Sequence, residues 1–180
     1  MKKLKTPFFI LALAFLVVIC LYSSCKPKDK LLNISVTMEI TGRGYFAYER
    51  DGREHDDYFS KVTIINKETI PVSFWMMKCS WWNETLIFNR DSIEFSAGGC
   101  DGNFPIEVEL KPGKSIVFYP VFHPISQNVN QLKIGFIMLK EEEVGHNFRG
   151  RNKFMQSKNI YWSNPVSIKK FRNNWYRIEN

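Results

Sequence analysis

Apolar and polar residues alternate along most of this chain, and the alternation is punctuated by turn chemistry. Ile106, Val108 and Leu110 interleave with Glu107 and Glu109; Ile116, Phe118 and Pro120 then interleave with Val117, Tyr119 and Val121. Lys111-Pro112-Gly113-Lys114 lies between them. Proline fixes φ at the second position of such a turn and glycine takes positive φ at the third, so this pair reads as a hairpin. The same period of two runs through Leu32 to Met38, Tyr58 to Asn66, Ile70 to Cys79, Leu132 to Met138 and Ile160 to Ile168. Shorter strands are expected at Leu86–Phe88 and Ile93–Phe95, around an Asn89-Arg90-Asp91 turn. No apolar run sustains a 3.6 period, and side chains at a period of two belong to half-buried strands. The expected class is all-β, an antiparallel β-sandwich of about 8 strands.

Within that frame several segments carry specific expectations. Val72, Phe74 and Met76 share one face and Ser73, Trp75, Met77 and Cys79 the other, both largely apolar, which predicts a central strand covered on both sides. Gly42 and Gly44 are expected to interrupt the first strand, and Glu49 to Asp57 reads as an exposed charged loop. Glu141 to Asn159 reads as a long charged loop with one helical turn, and Pro165 makes the last strand an edge or a bulge.

The N-terminus breaks the pattern. Lys2, Lys3 and Lys5 precede an apolar run from Phe8 to Tyr22, and Tyr22-Ser23-Ser24-Cys25 follows. A helix crossing the bilayer core needs about 20 apolar residues, more than this run has, so a cleaved signal helix is the better reading. Tyr22-Ser23-Ser24-Cys25 resembles the cleavage site of bacterial lipoproteins, with Tyr22 where leucine is usual. The resemblance implies a signal peptide over 1–24, acylation (palmitate) at Cys25, a tether over 25–30 and a single domain over 31–180. It also implies a cell-envelope location outside the cytoplasm, the outer membrane rather than the inner. The leader holds three lysines and no acid, so the remaining chain carries 22 basic and 18 acidic residues. That modest excess gives no sign of nucleic-acid binding. Cys20 falls in the leader and Cys25 takes the lipid, which leaves Cys79 and Cys100 as an even pair in an oxidising compartment. One disulfide is expected, worth roughly 3 kcal/mol for a loop of about twenty residues.

Val62-Thr63-Ile64-Ile65-Asn66, Pro71-Val72-Ser73-Phe74, Cys79-Ser80-Trp81, Cys100, Asn103-Phe104-Pro105-Ile106, Leu110-Lys111-Pro112-Gly113 and Ile134-Gly135-Phe136 together resemble small lipoproteins of Bacteroidetes-type bacteria. The asparagine, strand and Leu-x-Pro-Gly part is also similar to bacterial immunoglobulin-like domains, which implies an immunoglobulin-like sandwich and no activity. The spacing of Cys79 and Cys100 is much narrower than that of the inter-sheet disulfide of antibody domains.

Residue types that carry chemistry are present without the spacing that chemistry needs. His55, His123 and His146 accompany many serines, but no G-x-S-x-G elbow occurs, and His123 reads as a strand-end residue. A cupredoxin copper site needs a histidine and a methionine just after its cysteine; Cys100 is followed by neither, so Met76 and Met77 read as core. Glu84, Asp91, Glu94 and Asp101 read as solvated turn acids, and Asp51, Asp56 and Asp57 do not follow an EF-hand loop. No catalytic residue, metal or cofactor is expected. A histidine or carboxylate pair converging within about 5–6 Å would instead favour a hydrolase.

Two surfaces remain as candidates. Trp81 and Trp82, near Asn83, Glu84, Asp101 and Asn103, suit stacking on a sugar ring; alternatively they pack against the disulfide and the sheet edge. From Asn147 to Ile178 eight basic residues occur without an acid, among them Arg149, Arg151, Lys153, Lys169, Lys170 and Arg172. That segment suits an anionic surface, or it is a solvated edge guarded by lysines. The expected function is a non-catalytic binding or structural role at the envelope, with a glycan or protein partner. The alternative is an accessory subunit of an envelope complex that docks through the basic segment.

Overall fold

A computed structural model describes residues 31–47, 54–96, 103–126, 128–144, 160–169 and 176–177. Cys25, Cys100, His146, Arg149, Arg151, Lys153, Lys170 and Arg172 lie outside the described residues, as do the leader and the tether. The described residues from Asn33 onward belong to one compact unit.

The architecture is all-β, and its largest sheet is built on two long strands. β1 (Ile34–Ala47) and β2 (Glu54–Asn66) pair antiparallel along their whole length. Alternation puts Val36 and Met38 of β1 and Tyr58, Val62 and Ile64 of β2 on one buried face. Gly42 and Gly44 do not interrupt β1: a bulge between Ile40 and Gly42 absorbs the irregularity, and pairing resumes with Gly42 opposite Phe59. The segment expected as an exposed loop up to Asp57 is therefore strand from Glu54 onward, and Asp57 is fully buried.

β3 (Val72–Met77) and β6 (Pro105–Leu110) form a separate two-stranded antiparallel sheet. β7 (Ser115–Phe118) and β8 (Val121–Pro124) both join β2. The hairpin expected between Ile106–Leu110 and Ile116–Val121 does not form. The turn itself is present, with Gly113 at φ 70 and Lys114 N–H on the Lys111 carbonyl at 3.0 Å, but it carries the chain from one sheet to another. Asn66 explains the switch. Its amide donates to the Ile70 and Leu110 carbonyls at 2.9 and 2.8 Å and accepts from Glu68 N–H at 2.8 Å. Its main chain bonds Gly113 and Lys114, so the turn is held on the end of β2.

β4 (Leu86–Phe88) and β5 (Ile93–Phe95) likewise part company: β4 pairs β10 (Ile134–Ile137), which pairs β11 (Ile160–Trp162), whereas β5 pairs β8. β9 (Gln131–Leu132) and β12 (Val166–Ser167) form a small ladder beyond the break at Pro165. β13 (Tyr176–Arg177) pairs β1 in parallel, the one departure among these pairings from an antiparallel arrangement. The large sheet thus runs β13-β1-β2-β8-β5, with β7 also on β2. The expected helical turn is a 3-10 turn at Glu141–Glu143.

Aromatic rings join the sheets. Phe88 of β4 meets Phe122 of β8 at 5.0 Å, and Phe74 of β3 meets Phe136 of β10 edge-on at 5.0 Å. Each ring buried this way contributes about 1.5–3 kcal/mol relative to exposure. The two-sided apolar pattern of β3 has its own explanation. Met77 packs with Ile137, Leu139 and Val144 in a second cluster, lined by Trp75, Ile87 and Ile160. β3 is thus covered on both faces, yet among the described residues its strand partners are β6 and a single bridge from Trp75 to Leu139.

Candidate functional site

Three strands place a row of polar side chains on the face of the large sheet that points away from the core. On that face Glu39 is exposed, and its ion pair with Lys61 at 3.3 Å is open to solvent. Asp57 on β2 lies on the same face but is wholly buried. Continuing the β2–β8 register from Tyr58 opposite Phe122 sets Asp57 beside His123, and His123 stands directly opposite Glu94 of β5. Ser96, two residues beyond Glu94, returns to the same face by alternation. Gly44 on β1 stands opposite Asp57 and contributes no side chain to the row.

The contacts follow from that register. Ser96 Oγ donates a short hydrogen bond to Asp57 Oδ1 and lies 3.0 Å from His123 Nδ1. His123 Nδ1 is 3.7 Å from Asp57 Oδ1, and its Nε2 is 3.7 Å from Glu94 Oε2. A hydroxyl has one proton to give. Given to the Asp57 carboxylate, it leaves the Ser96 oxygen as an acceptor, and the imidazole tautomer sets the direction of the His123 contact. A buried carboxylate needs such partners, because desolvating it alone is costly. The imidazole spans the gap between Asp57 and the largely exposed Glu94.

No sequence signal pointed to this row. Asp57 read as a loop acid, Glu94 as a turn acid, His123 as a strand-end residue, and Ser96 drew no notice. Their meeting depends on the register of three strands far apart in the chain. A histidine and two carboxylates do converge, the arrangement that favours a hydrolase. Among the described residues, however, no group of three or more His, Cys, Asp or Glu side chains has the geometry to hold a metal ion.

The other candidates are arranged differently from expectation. Trp81 and Trp82 belong to neither a strand nor an open loop: they start α1 (Trp81–Thr85), a single helical turn closed by Thr85 Oγ1 on the Trp81 carbonyl at 2.6 Å. Trp81 packs inward on Phe118 at 4.6 Å and meets Trp82 edge-on at 5.1 Å. Both are half-buried, and the Trp82 indole nitrogen is buried without a hydrogen-bond partner. Asn103 faces the protein as well. It accepts from Cys79 and Ser80 N–H at 3.1 and 3.3 Å and donates to Ser80 Oγ at 2.7 Å. Cys79 is disulfide-bonded. Lys169 is exposed, and among the described residues no helix is long and apolar enough to cross a membrane.

The chain matches no family model, no curated protein and no solved structure.

Proposed function

We propose that this chain is a lipid-anchored protein of the bacterial cell envelope whose β-domain binds a partner and carries out no reaction. Tyr22-Ser23-Ser24-Cys25, behind a basic and apolar leader, supports the anchor on Cys25. The alternating strands and the aromatic contacts between sheets support an immunoglobulin-like sandwich, and the bonded Cys79 supports pairing with Cys100. One observation supports the non-catalytic reading: the Ser96 hydroxyl is hydrogen-bonded to buried Asp57 as well as facing His123. A nucleophilic serine gives its proton to its histidine, and here the Asp57 carboxylate competes for it. Docking of the basic segment from Arg149 to Arg172 within an envelope complex is the alternative form of the same reading.

The anchor is tested by Cys25→Ala. With labelled palmitate in the medium, the wild type is expected to carry the label and the variant none; a wild type without label, or a variant labelled equally, overturns the anchor.

The polar row supports a second reading, an envelope hydrolase. Freed from Asp57, Ser96 Oγ has His123 Nδ1 3.0 Å away to take its proton, with Glu94 facing Nε2. A fluorophosphonate probe, which bonds to activated serine oxygens, separates the two readings. No adduct on Ser96 is expected. An adduct that disappears in His123→Ala would establish the hydrolase instead.

A further inference from the structure

Edge strand β6 has the makings of a docking strand, and hydrogen-bond alternation shows which of its groups are open. Lys78 N–H donates to the Phe104 carbonyl at 3.0 Å, so Lys78 and Phe104 form a hydrogen-bonded pair. Such pairs recur at every second position of an antiparallel ladder, which turns the main chain of Ile106, Val108 and Leu110 toward β3. Trp75 N–H confirms the phase, since it points away from β6 and donates to Leu139 at 2.8 Å. The main chain of Glu107 and Glu109 therefore faces outward. Among the described residues no strand pairs with that edge and no backbone group bonds to it. Pro105 at the start of the strand offers a carbonyl and no N–H.

The side chains fix what such an edge accepts. Glu107 and Glu109 are exposed and share one face, with half-buried Ile106 and Val108 on the other. An added strand puts one residue directly across from each glutamate, and the residue between them across from Val108. Opposite charges across a strand pair are stabilising and like charges destabilising. A second copy pairing through the same edge would set glutamates against glutamates, which disfavours self-association there.

We infer that β6 is a β-augmentation site for an extended segment of a partner protein that carries Lys or Arg at alternate positions around an apolar residue. Main-chain bonds to Glu107 and Glu109 supply the affinity, and their carboxylates the choice of sequence. This inference rests on the domain being a binding module and is independent of the anchor.

The test is binding of a labelled alternating lysine–valine hexapeptide to the full chain in detergent, with a glutamate–valine hexapeptide as control. Saturable binding of the first peptide, weakened by salt and absent for the second, is expected. Charge reversal in E107K/E109K should weaken it roughly tenfold, since two cross-strand pairs turn repulsive, and should admit the control peptide. Glu109→Pro removes an outward N–H that no described strand uses, so it should weaken binding with little change in thermal unfolding. Where a variant unfolds, E107Q/E109Q supplies the test: binding that keeps its full salt sensitivity overturns the site. Absent binding, or binding indifferent to the edge variants in folded protein, also overturns it. A fluorophosphonate adduct on Ser96 would instead overturn the binding reading itself.

Discussion

Asn66 is the residue on which the sheet switch depends. It is fully buried, and its side chain satisfies one N–H and one carbonyl of the turn that follows β2 and the carbonyl of Leu110 on β6. Truncation leaves those groups without their partner, the Leu110 carbonyl in a buried place, at about 1–3 kcal/mol for a buried unsatisfied group. Asn66→Ala is therefore expected to lower stability by about 2–3 kcal/mol, read as a lower urea midpoint at unchanged slope. A loss within about 0.5 kcal/mol, the range of ordinary surface changes, would show that the amide is not needed. The identity of Asn66 was legible in the sequence and its role was not, because Leu110 lies 44 positions away. The same holds for Asp57, Ser96 and His123, whose meeting is a product of register. Trp81 and Trp82 are placed by a local feature that the sequence reading lacked: a single helical turn sets Trp81 on Phe118.

At the scale of elements, turn chemistry could be read from sequence, but the destination of the strands could not. Pro112-Gly113 makes the expected turn, with Gly113 in the left-handed region. Nothing lies within 4 Å of the place where a Cβ would stand at Gly113, so a substitution there pays only in backbone conformation. Gly113→Ala should cost about 1–2 kcal/mol, and Gly113→Asn less, as asparagine visits that region more readily. Thermal melts of the two variants check this; equal melting temperatures for all three proteins would contradict the turn geometry. Gly135 differs, because a Cβ there would collide with Ile160 and press on Ile87 and Trp162. Neighbouring strands with a good turn between them normally form a hairpin. Here Asn66 pins the turn to β2, and β6 finds β3 while β7 finds β2.

Over the whole molecule, alternation was enough for the all-β class, since period-two patterning commits most segments to strands whatever their partners. It could not apportion strands among sheets, nor foresee the parallel pairing of β13 with β1. The proposed working form joins three parts: a lipid on Cys25, a β-domain stapled at Cys79, and an acidic edge open to a partner. Its most direct test is the intact mass of protein extracted from membranes, taken with and without reduction and alkylation. The expected result is the mass of residues 25–180 plus acyl chains, with two thiols that appear only after reduction. A full-length, unacylated mass with freely alkylated thiols would contradict both the anchor and the staple.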